Sequence, residues 1–402
     1  MGEHRTVFTG GRVFDPASAS TGEADVVVAA GRVVEVGPGL DGDTAVDCRG
    51  STVLPGLIDA HVHVSITHFD LVRWLATPAS LPYYEAIETL RTYLAMGITT
   101  VRDAGGADAG MREAVARGLI AGPRLRIAVT MLSQTGGHGD PTTASGIEVP
   151  FLPSPVESRV DGVDDVRRRV RELVRAGADQ VKVAVSGGVL SPLSDPRLPQ
   201  LSLDELSVMV SEAAAAGRDV MAHAHGAAGI VNGVRAGVRS IEHGTLLTDE
   251  AIERMLERGT WLVPTLLAPQ GVLDAADAGV ALAPYVLEKA RSVVHEHRLS
   301  FARAVDAGVK VAMGTDCPVA PHGSNLGELP LMQAGGMSPG EVLRASTLGG
   351  AQLMRLDGEL GSLEPGKRAD LVVVDGDALA FDGLRGRVRE TWQDGACVWS
   401  RD

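Results

Sequence analysis

The sequence predicts an α/β protein in which a (β/α)8 TIM barrel is joined to a small β-sandwich domain. From residue 57 onward, eight apolar runs of strand length alternate with amphipathic runs of helix length. These units occupy roughly 260 residues, which is the usual size of a closed barrel. No Gly-x-Gly-x-x-Gly motif follows the first run, which argues against an open dinucleotide-binding sheet.

The predicted barrel strands begin at residue 57 and end near residue 313. They are expected at residues 57–63, 98–103, 124–129, 180–185, 219–224, 240–242, 261–264 and 310–313. Helices are expected at residues 85–96, 111–117, 164–176, 204–216, 228–236, 249–258, 287–307 and 341–354.

Both ends of the chain have β-character. Residues 1–55 contain short strand-like runs without helical periodicity, and two turns, Gly10-Gly11 and Ala30-Gly31, each predict a hairpin. Strand-like runs return after residue 358. Because chain termini are often close together, we expect residues 1–55 and 358–402 to form one small β-sandwich domain and residues 56–357 to form the barrel.

The composition excludes several classes of protein. The 402 residues carry a net charge of −14, with 37 basic and 51 acidic residues, and no basic patch interleaved with aromatics predicts nucleic-acid binding. Cys48, Cys317 and Cys397 are far apart and form no disulfide framework. The polar start and the absence of an apolar run of about 18 residues predict neither a signal peptide nor a membrane span. We therefore expect a cytoplasmic protein.

The first barrel strand ends in a His-x-His pair. Side chains alternate along a strand, so His61 and His63 lie on one face and can bind one metal ion. Alone, the pair is equally consistent with two ordinary polar residues. The active sites of barrels lie at the carboxyl ends of the strands. Metal-capable residues at those ends are His61, His63, Lys182, His223, His225, His243 and Asp316.

Lys182 is unusual because its strand is apolar and should be buried on both faces. A buried ammonium group is costly and cannot bind a metal ion. From the residues alone, the simplest interpretation is an ion pair with a nearby carboxylate.

Several motifs together resemble one known family. They are Pro55-Gly56-Leu57-Ile58-Asp59-Ala60-His61-Val62-His63, Val181-Lys182-Val183 with Ser186-Gly187-Gly188, Ala222-His223-Ala224-His225-Gly226, Ser240-Ile241-Glu242-His243-Gly244-Thr245, Gly314-Thr315-Asp316, and the tail 361–372. The chain resembles the amidohydrolase superfamily, and within it the branch of imidazolonepropionase-like proteins and Xaa-Pro dipeptidases (prolidases).

This resemblance implies a site with two divalent metal ions, of which Zn²⁺ suits the ligands best. It implies that Lys182 is N-carboxylated by CO₂ and bridges the two ions, with a hydroxide between them. Asp316 would accept the proton of this nucleophile and pass it to the leaving nitrogen. By resemblance, His61, His63, Lys182 and Asp316 bind one ion, and Lys182, His223 and His243 bind the other.

The resemblance also implies substrate contacts. The first histidine of the His223/His225 pair is expected to be the ligand, and His225 to contact the substrate carbonyl or carboxylate. His138, in a glycine-rich loop after the third strand, is assigned to substrate binding. His322 is a further candidate, for which a structural hydrogen bond is an equal alternative.

Two further pairs of residues are expected to lie outside the set of metal ligands and substrate contacts. His295 and His297 are expected at the surface of the long helix, because residues at i and i+2 do not share a face. Arg102 and Asp103 are expected to form a structural pair, with Asp103 as a possible support of the metal ligands.

The function implied by the resemblance is a metal-dependent hydrolase that cleaves the amide bond of small peptides or N-acyl amino acids, foremost an Xaa-Pro-type dipeptidase. Alternatives in the superfamily are an imidazolonepropionase-like cyclic amide hydrolase and an ochratoxin or organophosphate hydrolase. Lys182 argues against the relatives that use one metal ion. A non-enzymatic scaffold is disfavoured because all six ligands are present. We expect a small-molecule or dipeptide substrate and a homo-oligomer.

Overall fold

A computed structural model describes residues 3–68, 71–143, 145–149, 154–280 and 282–401. The strands are β1 (Arg5–Thr9), β2 (Arg12–Asp15), β3 (Ser20–Glu23), β4 (Asp25–Ala29), β5 (Arg32–Gly37), β6 (Thr44–Asp47), β7 (Ser51–Pro55), β8 (Leu57–Val62), β9 (Ile98–Asp103), β10 (Arg124–Ile127), β11 (Met131–Leu132), β12 (Gln180–Ala184), β13 (Asp219–Ala224), β14 (Ser240–His243), β15 (Trp261–Val263), β16 (Leu371–Asp375), β17 (Val388–Gln393) and β18 (Ala396–Ser400).

The helices follow the strands in alternation through the middle of the chain. They are α1 (Leu71–Ala76), α2 (Leu81–Leu94), α3 (Ala109–Ala116), α4 (Val163–Arg175), α5 (Leu203–Ala215), α6 (Ala227–Ala236), α7 (Asp249–Arg258), α8 (Leu267–Asp277), α9 (Pro284–Asp306), α10 (Glu328–Ala334), α11 (Pro339–Arg344), α12 (Gly350–Leu353) and α13 (Leu384–Arg387). A π-helical turn, Ala345–Gly349, joins α11 to α12. Within the described ranges, no helix is both long and apolar enough to cross a membrane.

The N-terminal strands confirm one predicted hairpin and contradict the other. β4 and β5 pair antiparallel around Ala30-Gly31, as predicted. The hairpin at Gly10-Gly11 is wrong, because β1 pairs in parallel with β6 whereas β2 pairs in parallel with β7. The segments β1–β2 and β6–β7 thus run in parallel, and each passes from the sheet that contains β1 and β6 into the sheet that contains β2 and β7. Gly11 lies at this crossing, where a Cβ atom would lie 2.8 Å from the Cβ atom of Cys48.

Strands from both ends of the chain share a sheet of six described strands, in the order β18-β17-β16-β7-β2-β3. β16 pairs antiparallel with β7, from Leu371 opposite Pro55 to Asp375 opposite Ser51. Apolar side chains of this sheet and of the sheet β5-β4-β1-β6 are buried in one cluster that includes Phe8, Val53 and Val373. Burial of these side chains joins the two ends of the chain.

The middle of the chain forms two sheets of parallel strands, with orders β10-β9-β8 and β11-β12-β13-β14-β15. The predicted eighth strand at 310–313 is not a regular strand. Instead, isolated parallel bridges join Leu262 to Val311 and Val62 to Cys317. The backbone leaves extended geometry here, since Asp316 has a φ of 59° and its N–H donates to the His61 carbonyl at 2.7 Å. This part of the molecule has a mixed α/β architecture.

Candidate metal centre

The parallel register brings the predicted ligands together at the carboxyl ends of the strands. β12 pairs with β13 so that Ala184 lies beside His223, and β13 pairs with β14 so that Ala224 lies beside His243. Ligand-capable atoms of His223, His225 and His243 lie within 4.8 Å of one another.

A second ligand-capable group consists of His61, His243 and Asp316, whose atoms also lie within 4.8 Å of one another. Asp316 Oδ1 lies 3.3 Å from Nε2 of both His61 and His63. Burial disfavours the carboxylate form, but the neighbouring His61 and His63 outweigh it and hold the pKa of Asp316 well below its usual value. An ionised oxygen and two imidazole nitrogens thus converge on one point.

The opposite side of the site consists of His223 and His243. Nδ1 of His223 lies 2.9 Å from Nε2 of His243. Burial lowers the pKa of both rings well below the usual value, so both are neutral at physiological pH. Neutral imidazole is the form that binds metal ions.

Hydrogen bonds to the outer ring nitrogens fix which nitrogen is free to bind a metal. His63 Nδ1 lies 2.8 Å from the Gly105 carbonyl, and His223 Nε2 lies 3.2 Å from the Gly187 carbonyl. A carbonyl oxygen only accepts, so these ring nitrogens carry the hydrogen. The bare nitrogens, Nε2 of His63 and Nδ1 of His223, therefore face the site.

His61 is oriented by a buried charge network. Its Nδ1 lies 2.7 Å from Oε2 of Glu242, and Arg102 donates to Oε1 and Oε2 of the same carboxylate at 2.9 and 3.0 Å. Burial alone would raise the pKa of Glu242, but Arg102 and the hydrogen bond from His61 lower it to about 2. The ionised carboxylate holds the hydrogen on Nδ1 and leaves Nε2 of His61 free for a metal ion.

Lys182 lies in the centre of the site. Its Nζ is 3.2 Å from His61 Nε2, and only 1% of the residue's surface is exposed. In the part of the chain that the structure describes, no carboxylate forms an ion pair with Lys182, which disfavours the ion-pair alternative. Burial lowers the pKa of Lys182 to about 8, which increases the share of neutral amine.

Two of the three predicted substrate-binding histidines adjoin the predicted metal ligands. The His138 ring stacks on His223 with ring centroids 4.3 Å apart, and its buried Nδ1 has no hydrogen-bond partner within the described residues. The His225 ring stacks on His243 at 4.8 Å, and its Nδ1 lies 2.6 Å from Thr245 Oγ1. Both rings can therefore contact a ligand beside the metal site.

The third predicted substrate-binding histidine is His322, in the loop that follows Asp316. Its Nε2–H donates to the Ile66 carbonyl at 2.8 Å, and its Nδ1 therefore accepts from the Tyr93 hydroxyl at 2.8 Å. Both ring nitrogens are thus engaged by the protein. The geometry favours the structural alternative for His322, and its role in substrate binding stays a prediction.

His297 is a site residue that the sequence prediction missed. The structure buries it at 2% exposure, and its Nε2–H donates to the His243 carbonyl at 2.9 Å, so the expected surface position is wrong. His295, two residues earlier on another face of the helix, is exposed. The apolar stripe of α9 identifies the buried face, since Val293 and Phe301 lie four residues away on either side.

Arg102 and Asp103 do not pair with each other. They are neighbours in β9, so their side chains point to opposite faces of the sheet. Arg102 binds Glu242, whereas Asp103 accepts from the backbone N–H groups of Val64 and Gly105, both at 2.9 Å. Asp103 thereby shapes the loop whose Gly105 carbonyl orients His63.

The sequence matches known proteins over most of its length. Residues 52–398 match the amidohydrolase family. The ochratoxinase of Aspergillus niger is 33% identical over 347 residues, which cover 82% of this chain and 72% of that protein.

Two solved structures are similar along nearly the whole chain. A prolidase complexed with N-methylphosphonate-L-proline is 37% identical with a TM-score of 0.93, and the match covers 99% of this chain and 100% of that one. A Xaa-Pro dipeptidase with bound methionine in its active site is 32% identical with a TM-score of 0.91, and the match covers the same shares of both chains.

Proposed function

Because the chain belongs to the amidohydrolase family, we propose that it is a binuclear metal-dependent hydrolase that cleaves the amide bond of small peptides or N-acyl amino acids, foremost of Xaa-Pro dipeptides. The observation that carries the proposal is the convergence of bare imidazole nitrogens, an ionised Asp316 and a buried Lys182 that forms no ion pair with a carboxylate of the described residues. The two parallel sheets, joined by bridges through residues 311–317, support a single (β/α)8 barrel. Residues 1–55 with 358–402 are proposed to form the small β-sandwich domain, and residues 56–357 the barrel domain.

The donor set fits divalent metal ions, because imidazole nitrogens and carboxylate oxygens suit Zn²⁺. When bound, such ions lower the pKa of a coordinated water and polarise the substrate carbonyl. The bridging role requires Lys182 to carry a carboxylate, formed when its neutral amine attacks CO₂ and releases a proton. The residues that would hold one ion are His61, His63, Lys182 and Asp316, and those that would hold the other are Lys182, His223 and His243.

Asp316 is the residue proposed to move the proton. Its carboxylate is ionised and exposed at 15% of its side chain, so it can face both the ligands and a substrate. It accepts a proton from the attacking water and donates it to the leaving nitrogen.

His138 and His225 flank the ligand pair His223 and His243. From these positions, a ring N–H can donate to the carbonyl oxygen or to the carboxylate of the substrate. A subsite that binds a free carboxylate favours dipeptides and N-acyl amino acids over substrates that lack this group.

The similarity to the prolidase complex and to the Xaa-Pro dipeptidase supports the dipeptidase assignment. The similarity to ochratoxinase supports a second candidate, in which the same site cleaves an ochratoxin-type amide. Both candidates use the same bond-breaking residues and differ in the acyl and amine groups that the pocket accepts.

A hydrolysis screen tests the proposed function. The purified protein is incubated with Zn²⁺ and bicarbonate against a dipeptide library, N-acyl amino acids and an ochratoxin-type amide. We expect turnover of dipeptides with C-terminal proline, and its loss in Asp316→Asn prepared in parallel. No turnover of any dipeptide or N-acyl amino acid would overturn the peptidase assignment.

A further inference from the structure

We propose that Lys289 is a positioning residue, which acts through a loop of the chain on the metal ligand His223 and on His138. The loop consists of residues 187–195 and is called the glycine loop below. The proposal deepens the function proposed above and rests on it for the metal-binding role of His223. Among the described hydrogen bonds, Lys289 Nζ binds the loop and none of the predicted metal ligands.

Lys289 binds the glycine loop through three carbonyl groups. Its Nζ donates to the carbonyl oxygens of Ser191 at 2.7 Å, Ser194 at 2.5 Å and Gly188 at 3.3 Å. An ammonium group has three donor hydrogens, so one loop satisfies all of them. Hydrogen bonds from a charged donor are stronger than those between neutral groups. Lys289 therefore gathers both ends of the loop around one point.

The opposite side of the loop contacts the site. The Gly187 carbonyl accepts from His223 Nε2 at 3.2 Å, and this bond leaves Nδ1 free to bind a metal ion. Gly188 lies against the imidazole of His138, since a Cβ atom on Gly188 would lie 2.2 Å from that ring. Movement of the loop would therefore disturb a ligand and a proposed substrate contact together.

The contacts of the loop require close approach. A Cβ atom on Gly187 would lie 2.2 Å from the carbonyl oxygen of Asp195, so glycine allows the two ends of the loop to meet. Residues 187–195 contain no helix or regular strand that would hold their shape. Further contacts with α9 are weaker: the Tyr285 hydroxyl donates to the Leu190 carbonyl at 3.4 Å, and Leu190 packs beside Val286. The hydrogen bonds of the Lys289 ammonium group are thus the strongest described contacts between α9 and the glycine loop.

This arrangement makes a selective prediction about metal binding. His61, His63 and Asp316 have no contact with the glycine loop in the described hydrogen bonds, whereas His223 does. Loss of the Lys289 bonds should weaken the ion held by His223 and spare the other ion. A residue that supported only global stability would weaken both alike.

Lys289→Met tests the proposal, because methionine keeps the length of the side chain and removes its charge and donors. Lys310→Met is the matched control, since Lys310 is exposed and its Nζ lies over the Trp261 ring. Hydrogen exchange of the metal-free proteins is followed by mass spectrometry for residues 187–195. Zn²⁺ is then titrated in competition with a chromophoric chelator, and kcat and KM are measured with a dipeptide substrate.

In Lys289→Met we expect faster exchange in the glycine loop and a lower affinity for one of the two ions. The loss should not exceed about 10- to 100-fold, the effect of removing a direct outer partner of a metal ligand. The affinity of the other ion and all properties of Lys310→Met should match wild type. Because His223 orientation affects the chemical step and His138 affects substrate binding, kcat should fall and KM should rise. Lys289→Arg, which keeps the cation, should restore the slow loop exchange.

Unchanged loop exchange in metal-free Lys289→Met, or equal weakening of both ions, would overturn the role of Lys289. If Lys289→Met does not fold, loop exchange is measured in Lys289→Gln, which removes the charge and retains two donors. Faster exchange in this variant supports the role of the ammonium group, and unchanged exchange overturns it. A wild-type protein that binds no Zn²⁺ would instead overturn the proposed function, and loop exchange would still decide whether Lys289 holds the loop.

Discussion

Substitution of Glu242 by glutamine should both destabilise the fold and weaken metal binding. Glu242 is fully buried and binds Arg102 and His61. A pKa lowered from 4.5 to about 2 corresponds to about 3 kcal/mol in favour of the ionised form. The substitution leaves Arg102, which is 4% exposed, as a buried charge without its partner, and such a loss costs about 3–5 kcal/mol.

The assay is urea unfolding of the metal-free protein, with Glu359→Gln as the control. Glu359 pairs with Arg32 at 3.1 Å, but both side chains are about half exposed, so that this substitution should cost no more than about 1 kcal/mol. Because Glu242 also holds the His61 tautomer, its loss should lower Zn²⁺ affinity by about 10- to 100-fold. An unfolding free energy and a Zn²⁺ affinity equal to those of the control would refute this reasoning.

Two further predictions concern buried groups outside the ligand set. His297→Leu leaves the His243 carbonyl without its donor and should lower the unfolding free energy by about 1–3 kcal/mol. The control His295→Leu changes an exposed residue and should alter this free energy by less than about 0.5 kcal/mol. Equal unfolding free energies of the two variants would contradict the role of His297. Burial raises the pKa of Glu328 from 4.5 to about 8. The folded protein therefore holds this proton more tightly than the unfolded chain, and its stabilising contribution is present below pH 4.5 and lost as pH rises through about 8. Thermal unfolding from pH 5 to 8.5 should show a steeper loss of stability in wild type than in Glu328→Gln, and parallel curves would contradict the shift.

Much of the site could be predicted because parallel strands have a simple geometry. The carboxyl ends of neighbouring parallel strands meet at one edge, which predicts the proximity of His223 and His243, and the predicted barrel adds His61 to the same edge. The resemblance to the amidohydrolase superfamily is confirmed by the match over residues 52–398. The metal ligands and the domain boundaries stay predictions.

The errors have physical reasons. The Gly10-Gly11 turn has hairpin composition, but its flanking strands pair in parallel with partners distant in sequence, and local turn chemistry does not report such pairing. His297 lies on the apolar stripe of its helix, and its spacing from His295 does not report that position. For residues 310–313, an apolar run predicted a strand. Backbone hydrogen bonds join this segment to Leu262 and Ala60, but it forms only an isolated bridge and no regular strand.

The most direct test of the central claim is the number of metal ions per chain in wild type and Lys182→Met. Both proteins are loaded with Zn²⁺ in the presence of bicarbonate, freed of excess metal, and measured by elemental analysis, with Lys310→Met as the control. If carboxylated Lys182 bridges the site, wild type and the control should hold two ions per chain, while Lys182→Met should remain folded and be depleted of metal. One ion per chain in all three proteins, or wild-type occupancy in Lys182→Met, would contradict the account.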